Sequence, residues 1–198
     1  AMFGAGRDGQ SLIYLALGTG LGGGIIHQGM LAAGINGLGG EVGHVSVDAN
    51  GPRCTCGGVG CMEAYVGGWA IARDGELAAH SERGPLIREI ADGGAITAEV
   101  VAEAADRGDD AAREIFARAG RALAVGVGGL VNIFNPELIV VGGGLARAGD
   151  LILEPFRARL PQYTMVPIYR QVSIAPSALG KDTGIYGAAA TVFYMNPR

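Results

Sequence analysis

The chain has 198 residues, 49% of them hydrophobic and 17% charged, which supports a sizeable core and argues against disorder. Its net charge of −4 argues against a nucleic-acid surface as its main business. No apolar stretch reaches the roughly 18 uncharged residues of a membrane span, and Ala1-Met2-Phe3-Gly4-Ala5-Gly6-Arg7 lacks a signal-peptide pattern, so a soluble cytoplasmic protein is expected.

Residues 12–17 (LIYLAL) form a short apolar run that ends at Gly18 and predicts a buried strand. Gly24-Ile25-Ile26-His27 and Gly29-Met30-Leu31 predict a second strand and a hairpin. Residues 34–62 show little periodicity and contain all three cysteines, a long loop that needs a reason, and a bound ion would supply one. From Met62, the apolar residues Tyr65, Trp69 and Ala72 recur at helical spacing. Thr97 predicts the N-cap of a further helix.

The longest predicted helix runs from about Asp109 to Phe134 and closes at Asn135-Pro136. Gly120, Gly126, Gly128 and Gly129 inside it each cost roughly 1 kcal/mol against alanine, so close approach of another backbone is expected there, in the core or at an interface between copies. Residues 138–141 (LIVV) predict a buried strand. A helix near residues 151–160, a strand near 171–175 and a helix over 183–193 follow. Strands and helices alternate, so the class is α/β, read as one domain.

Glycine is unusually frequent, at 36 residues, and it clusters without a collagen period. The run Gly18-Thr19-Gly20-Leu21-Gly22-Gly23-Gly24 lies between two predicted strands. Such a turn lets backbone N–H groups converge on an anion, although a ligand-free glycine hairpin fits the same pattern. No helix or Gly-Lys-Ser/Thr follows at the spacing of the dinucleotide or Walker motifs. Gly142-Gly143-Gly144 ends a strand, where α/β sheets bind ligands.

His44, Cys54, Cys56 and Cys61 make a complete Cys3His set for a tetrahedral zinc, which leaves no position for water and implies a structural ion. The alternative is free buried thiols beside an unrelated histidine. Glu41 and Glu63 flank this set, and an ion gathering His44 and Cys61 would bring the two glutamates close together. Carboxylates so placed suit sugar hydroxyls, while Glu63 also fits an ordinary first-turn residue of a helix.

LGTGLGGGII, GGEVGH, CTCGGVGCMEAY and NPELIVVGGG, in that order, resemble the ROK family of sugar kinases and sugar-responsive repressors from Phe3 to about Ala190. The resemblance implies a ribonuclease-H-like, actin-like ATPase lobe with a structural zinc loop. It implies ATP contacts from Gly18, Thr19, Gly20, Gly22, Gly23 and Gly24 (phosphates) and from Gly142, Gly143 and Gly144 (adenosine). It further implies sugar contacts from Glu41, His44 and Glu63, and zinc on His44, Cys54, Cys56 and Cys61, with the second nitrogen of His44 free for the sugar.

Phosphorylation of a hexose (glucose, or an N-acetylhexosamine) by ATP and Mg²⁺ is the implied activity, a homodimer the implied assembly. The family's catalytic aspartate is expected upstream of Phe3. Residues 1–198 are therefore read as a C-terminal lobe that carries no catalytic residue of its own and is incomplete alone. The competing reading is the effector domain of a repressor of the same family.

Overall fold

The computed structural model describes residues 4–7, 9–81 and 83–195. Leu12–Leu17 (β1), Leu21–His27 (β2) and Met30–Leu31 (β3) form an antiparallel meander. Leu138–Gly142 (β4) pairs in parallel with the other edge of β1, and Ser173–Pro176 (β5) pairs in parallel with β4, giving the order β3-β2-β1-β4-β5. Parallel strands need a crossover, and the helical segment between β3 and β4 supplies it.

Side chains alternate across this sheet. Ile13, Leu15, Leu17, Ile139 and Val141 enter the main core, whereas Leu12, Tyr14 and Val140 line a hollow on the opposite face together with Thr183, Tyr186 and Gly187. The latter belong to the last helix described, Thr183–Met195. None of the described helices is long and apolar enough to cross a membrane.

The crossover contains Glu63–Val66 (α1), Gly68–His80 (α2), Pro85–Ala91 (α3), Ala98–Asp106 (α4) and the central Asp110–Phe134 (α5). Asp150–Arg159 (α6) and Val166–Tyr169 (α7) precede β5, and Thr183–Met195 is α8. Helix α5 begins where the sequence predicts. Asp109 caps it by accepting from the Ala112 N–H at 3.0 Å, and Asn135 ends it in the left-handed conformation. Buried Asp109 also accepts from the Leu86 N–H at 3.1 Å, so one carboxylate starts both α3 and α5.

The expected close approach to the α5 glycines is present inside the chain. A Cβ on Gly120 would lie 2.6 Å from Pro155 and 2.7 Å from the Ile152 carbonyl of α6, while Gly126 and Gly128 face Met62 and Tyr163. Gly129 has open space, and no compensation for it is seen.

Two expectations need correction. The register pairs Leu17 with Leu21, so only Gly18-Thr19-Gly20 form the turn, and Gly22, Gly23 and Gly24 are strand residues opposite Ala16, Leu15 and Tyr14. The Tyr65, Trp69 and Ala72 stripe is half-buried and is not one continuous face. The extended ψ of 146° at Gly67 separates α1 from α2 and shifts the phase, so Ala64, Val66, Ala70 and Ile71 take the core.

The Asp109→Ala variant is expected to unfold in urea with about 2 kcal/mol less stability, roughly 1 for the lost cap and 1 for the stranded Leu86 N–H. Asp109→Asn should recover much of that loss. A change below about 0.5 kcal/mol for the alanine variant would contradict the double capping role.

Candidate functional site

The long loop after β3 holds its shape through a few backbone contacts and four potential ligands. His44 closes a single 3₁₀ turn, Val42–His44. Cys54 and Cys56 lie on a tight reversal fastened by the Cys54 N–H to the Gly58 carbonyl at 2.9 Å and by an Arg53–Val59 bridge. Cys61 bridges Ser46 immediately before α1. These placements bring one ligand atom from each of His44, Cys54, Cys56 and Cys61 within 4.8 Å of one another.

The spacing suits a tetrahedral ion. Two sulfurs each about 2.3 Å from zinc stand about 3.8 Å apart, and the Cys56 and Cys61 sulfurs are 3.7 Å apart, as are the Cys54 sulfur and His44 Nδ1. Without a cation the thiols are poor partners. Burial, reinforced by the neighbouring sulfurs of Cys56 and Cys54, pushes the Cys61 thiol up to about 12, whereas the Gly58 N–H, then Cys54, draw the Cys56 thiol down. A bound dication reverses that penalty by deprotonating the ligands. The loop is also braced by Tyr65, whose hydroxyl donates to Asp48 Oδ2 at 2.8 Å. Burial and this bond push Tyr65 up to about 12, and the bond to Tyr65, with the Asn50 N–H, lowers Asp48.

A chain of polar contacts runs outward from the cluster. His44 turns Nδ1 toward Cys54 and Nε2 toward Glu41, whose Oε2 is 3.8 Å away. On the other side the Cys54 sulfur is 3.9 Å from Glu63 Oε1. Glu63 is the first residue of α1, yet its carboxylate is turned onto the β1–β2 turn. There Oε2 accepts from the Leu21 N–H at 2.9 Å, and Oε1 accepts from the Trp69 indole at 3.4 Å. The Glu41 side chain, 63% exposed, remains open to solvent. The two glutamates are thus linked through His44 and Cys54 and differ in how far they are already committed.

The Gly18-Thr19-Gly20 turn is held from behind. Its Gly18 and Thr19 carbonyls accept from the Gly68 and Trp69 N–H groups at the start of α2, at 2.9 and 3.1 Å. Among the described residues the Thr19 and Gly20 N–H groups have no acceptor, which leaves donors for an anion. A Cβ on Gly20 would collide with the Glu63 carboxylate. In β2, a Cβ on Gly23 would collide with Val42, so that glycine admits the 3₁₀ turn carrying His44.

Beside the turn opens a cleft of about 560 Å³, lined by Gly18, Thr19, Trp69, Thr97, Glu99 and Gly144. That is within the usual range for small-molecule sites. Gly143, at φ +97°, presses against the Leu17 carbonyl and brings the end of β4 next to the end of β1. Gly142 and Gly143 line a different hollow, on the α8 side of the sheet, and only Gly144 borders both. Sequence reasoning overlooked Gly68 and Glu99 as cleft residues; Thr97 is the N-cap it expected, accepting from the Val100 N–H at 3.4 Å, and Thr97 and Trp69 line the cleft as well. The paired Gly67-Gly68 before the tryptophan was the one local sign of a close approach.

A sequence model of the ROK family matches residues 1–193. Over 194 residues the chain is 40% identical to the glucokinase of Thermotoga maritima, an alignment that takes in 96% of this chain and 60% of that protein. It is 28% identical over 191 residues to the xylose repressor of Bacillus spizizenii, across 96% of this chain and 46% of that protein. The fold superposes on a crystal structure of a ROK family glucokinase from Streptomyces griseus, in complex with glucose and AMPPNP. The TM-score is 0.82 at 33% identity, over 94% of this chain and 62% of that one. The chain therefore spans about three-fifths of these kinases and under half of the repressor. By its family match, its α/β actin-like ATPase fold and its His-Cys cluster, this chain belongs to the ROK family.

Proposed function

We propose that residues 1–198 form the C-terminal lobe of a ROK sugar kinase, which transfers the γ-phosphoryl group of ATP to a hexose, glucose first and N-acetylhexosamines second. The observation that carries this reading is the Leu21 N–H bond to Glu63 Oε2, which joins a carboxylate beside the His-Cys cluster to the first residue after the glycine turn. A sugar-facing group and a phosphate-facing turn are therefore immediate neighbours. The glucokinases among its relatives, one of them crystallised with glucose and AMPPNP, support the same assignment.

In this reading Glu41, His44 and Glu63 accept or donate hydrogen bonds to sugar hydroxyls, and the Thr19 hydroxyl and the Thr19 and Gly20 N–H groups receive phosphate oxygens. Gly22, Gly23 and Gly24 act from within β2, where Gly23 leaves room for the His44 turn to dock. The cleft beside Gly144 takes the nucleoside. Zinc on His44, Cys54, Cys56 and Cys61 is structural, orienting His44 so that Nε2 faces outward.

Transfer requires the hydroxyl oxygen to bond to the γ-phosphorus as the bond to the β–γ bridging oxygen breaks. ADP leaves and the hydroxyl proton passes to a base. Glu63 already accepts from Leu21 and Trp69, and the family resemblance implies an aspartate as the base, which this reading assigns to sequence outside these 198 residues. Mg²⁺ is expected to accompany the nucleotide. Self-association as a homodimer belongs to the same proposal, and exposed Met30, Ile35 and Leu38 around edge strand β3 support it. A monomer mass at micromolar concentration in sedimentation equilibrium would remove it.

Calorimetry on the zinc-loaded chain is expected to show binding of Mg·AMPPNP and of glucose, with little or no glucose phosphorylation in a coupled assay. Ordinary turnover from this chain would overturn the assignment of the base elsewhere. Sugar binding with no AMPPNP binding would favour the repressor effector domain, a reading the xylose repressor relatives keep in play.

A further inference from the structure

Trp69 is the chain's one tryptophan, and it sits where every part of the site meets. Its backbone N–H donates to the Thr19 carbonyl of the glycine turn at 3.1 Å. Its indole N–H donates to Glu63 Oε1 at 3.4 Å. The side chain packs against Cys54, Cys61 and Ala64 on the metal side. It also lines the cleft together with Gly18, Thr19, Thr97, Glu99 and Gly144.

The ring has partners on several sides besides the cleft. The Arg73 guanidinium stands 5.3 Å from the ring centroid, and it is itself fixed by Asp74 Oδ1 at 2.8 Å and the Ala64 carbonyl at 3.1 Å. An indole has one donor and no acceptor, so its single polar bond is spent on Glu63. That bond also decides the other half of the carboxylate. With Oε1 held by the indole, Oε2 is the oxygen left for the Leu21 N–H.

We propose that Trp69 is a positioning residue that couples nucleotide occupancy of the cleft to the orientation of the Glu63 carboxylate, and so to sugar affinity. The proposal rests on the function given above, in which the cleft takes the nucleotide and Glu63 the sugar. A nucleotide in the cleft, against Trp69, confines the ring, and a confined ring holds its N–H on Oε1. The carboxylate then offers the sugar one geometry instead of several, and less ordering remains to be paid when the sugar arrives. Linkage makes the effect reciprocal, since glucose must tighten AMPPNP by the same factor as AMPPNP tightens glucose.

The test is calorimetry of glucose with the zinc-loaded chain, with and without saturating Mg·AMPPNP, for the wild type and for Trp69→Phe. Phenylalanine keeps an aromatic ring against Cys54, Cys61 and Arg73 but has no N–H. The wild type is expected to bind glucose at least about fivefold more tightly when AMPPNP is present. In Trp69→Phe both ligands should still bind, with that factor reduced to near one. An unchanged factor in the variant, or a wild-type factor of one with both ligands bound, overturns the proposal. Failure of the wild type to bind AMPPNP at all overturns instead the function on which it rests.

A second readout does not depend on the variant folding. The single indole N–H resonance of the ¹⁵N-labelled wild type should shift on adding AMPPNP. A resonance that stays in place at saturation also overturns the proposal.

Discussion

The site depends on the gathering of one imidazole and three thiols in a loop with little regular secondary structure. Between β3 and α1 the chain makes one 3₁₀ turn and two isolated bridges; Val42 and Met62 anchor it in the main core, and around the thiols the apolar cluster is Cys54, Cys61 and Ala64 under Trp69. The part that carries Cys54 and Cys56 has the least packing to offset the ordering of its residues, each costing on the order of 1 kcal/mol or more. Structural zinc supplies folding free energy directly, because the ligand set forms only in the folded loop. His44 belongs to this group and also turns Nε2 outward toward Glu41, so in the proposed function one residue serves both metal and sugar.

The sheet delivers the other half of the site. The parallel pairing of β1 and β4 places their carboxyl ends side by side, where open α/β sheets hold ligands. Gly143 lets the end of β4 press on Leu17, and the start of α2 fastens the Gly18-Thr19-Gly20 turn from behind. Glu63 spans the remaining gap, in contact with the cluster through Cys54 and with the turn through Leu21. The His-Cys loop, the Glu63 carboxylate and the glycine turn thus form one connected unit, with Trp69 in contact with each part.

Features with a local cause were legible in the sequence. Strand β1, the capped α5 and the grouping of His44, Cys54, Cys56 and Cys61 are each specified by residues close in sequence or by a complete donor count. The cost of glycine within α5 correctly announced the approach of α6 at Gly120. Glycine misled where two structures share its composition. Gly22, Gly23 and Gly24 look like loop but are paired strand, and of the three it is Gly23 that provides thinness opposite Val42. A single extended residue, Gly67, broke the helical phase that made Tyr65, Trp69 and Ala72 look like a core stripe. Helices α3 and α7 are short and carry proline in their first turn, so periodicity had too few residues to register them. Trp69 meets Glu63 and Arg73 within a few residues but reaches Thr19 of the β1–β2 turn fifty residues away, and that distant contact is the one no local pattern encodes.

X-ray absorption at the zinc edge of the purified chain tests the account most directly. The account predicts one zinc per chain, with a first shell of three sulfurs at about 2.3 Å and one nitrogen at about 2.0–2.1 Å. A shell of oxygen and nitrogen alone, or no bound zinc in folded protein, would contradict it.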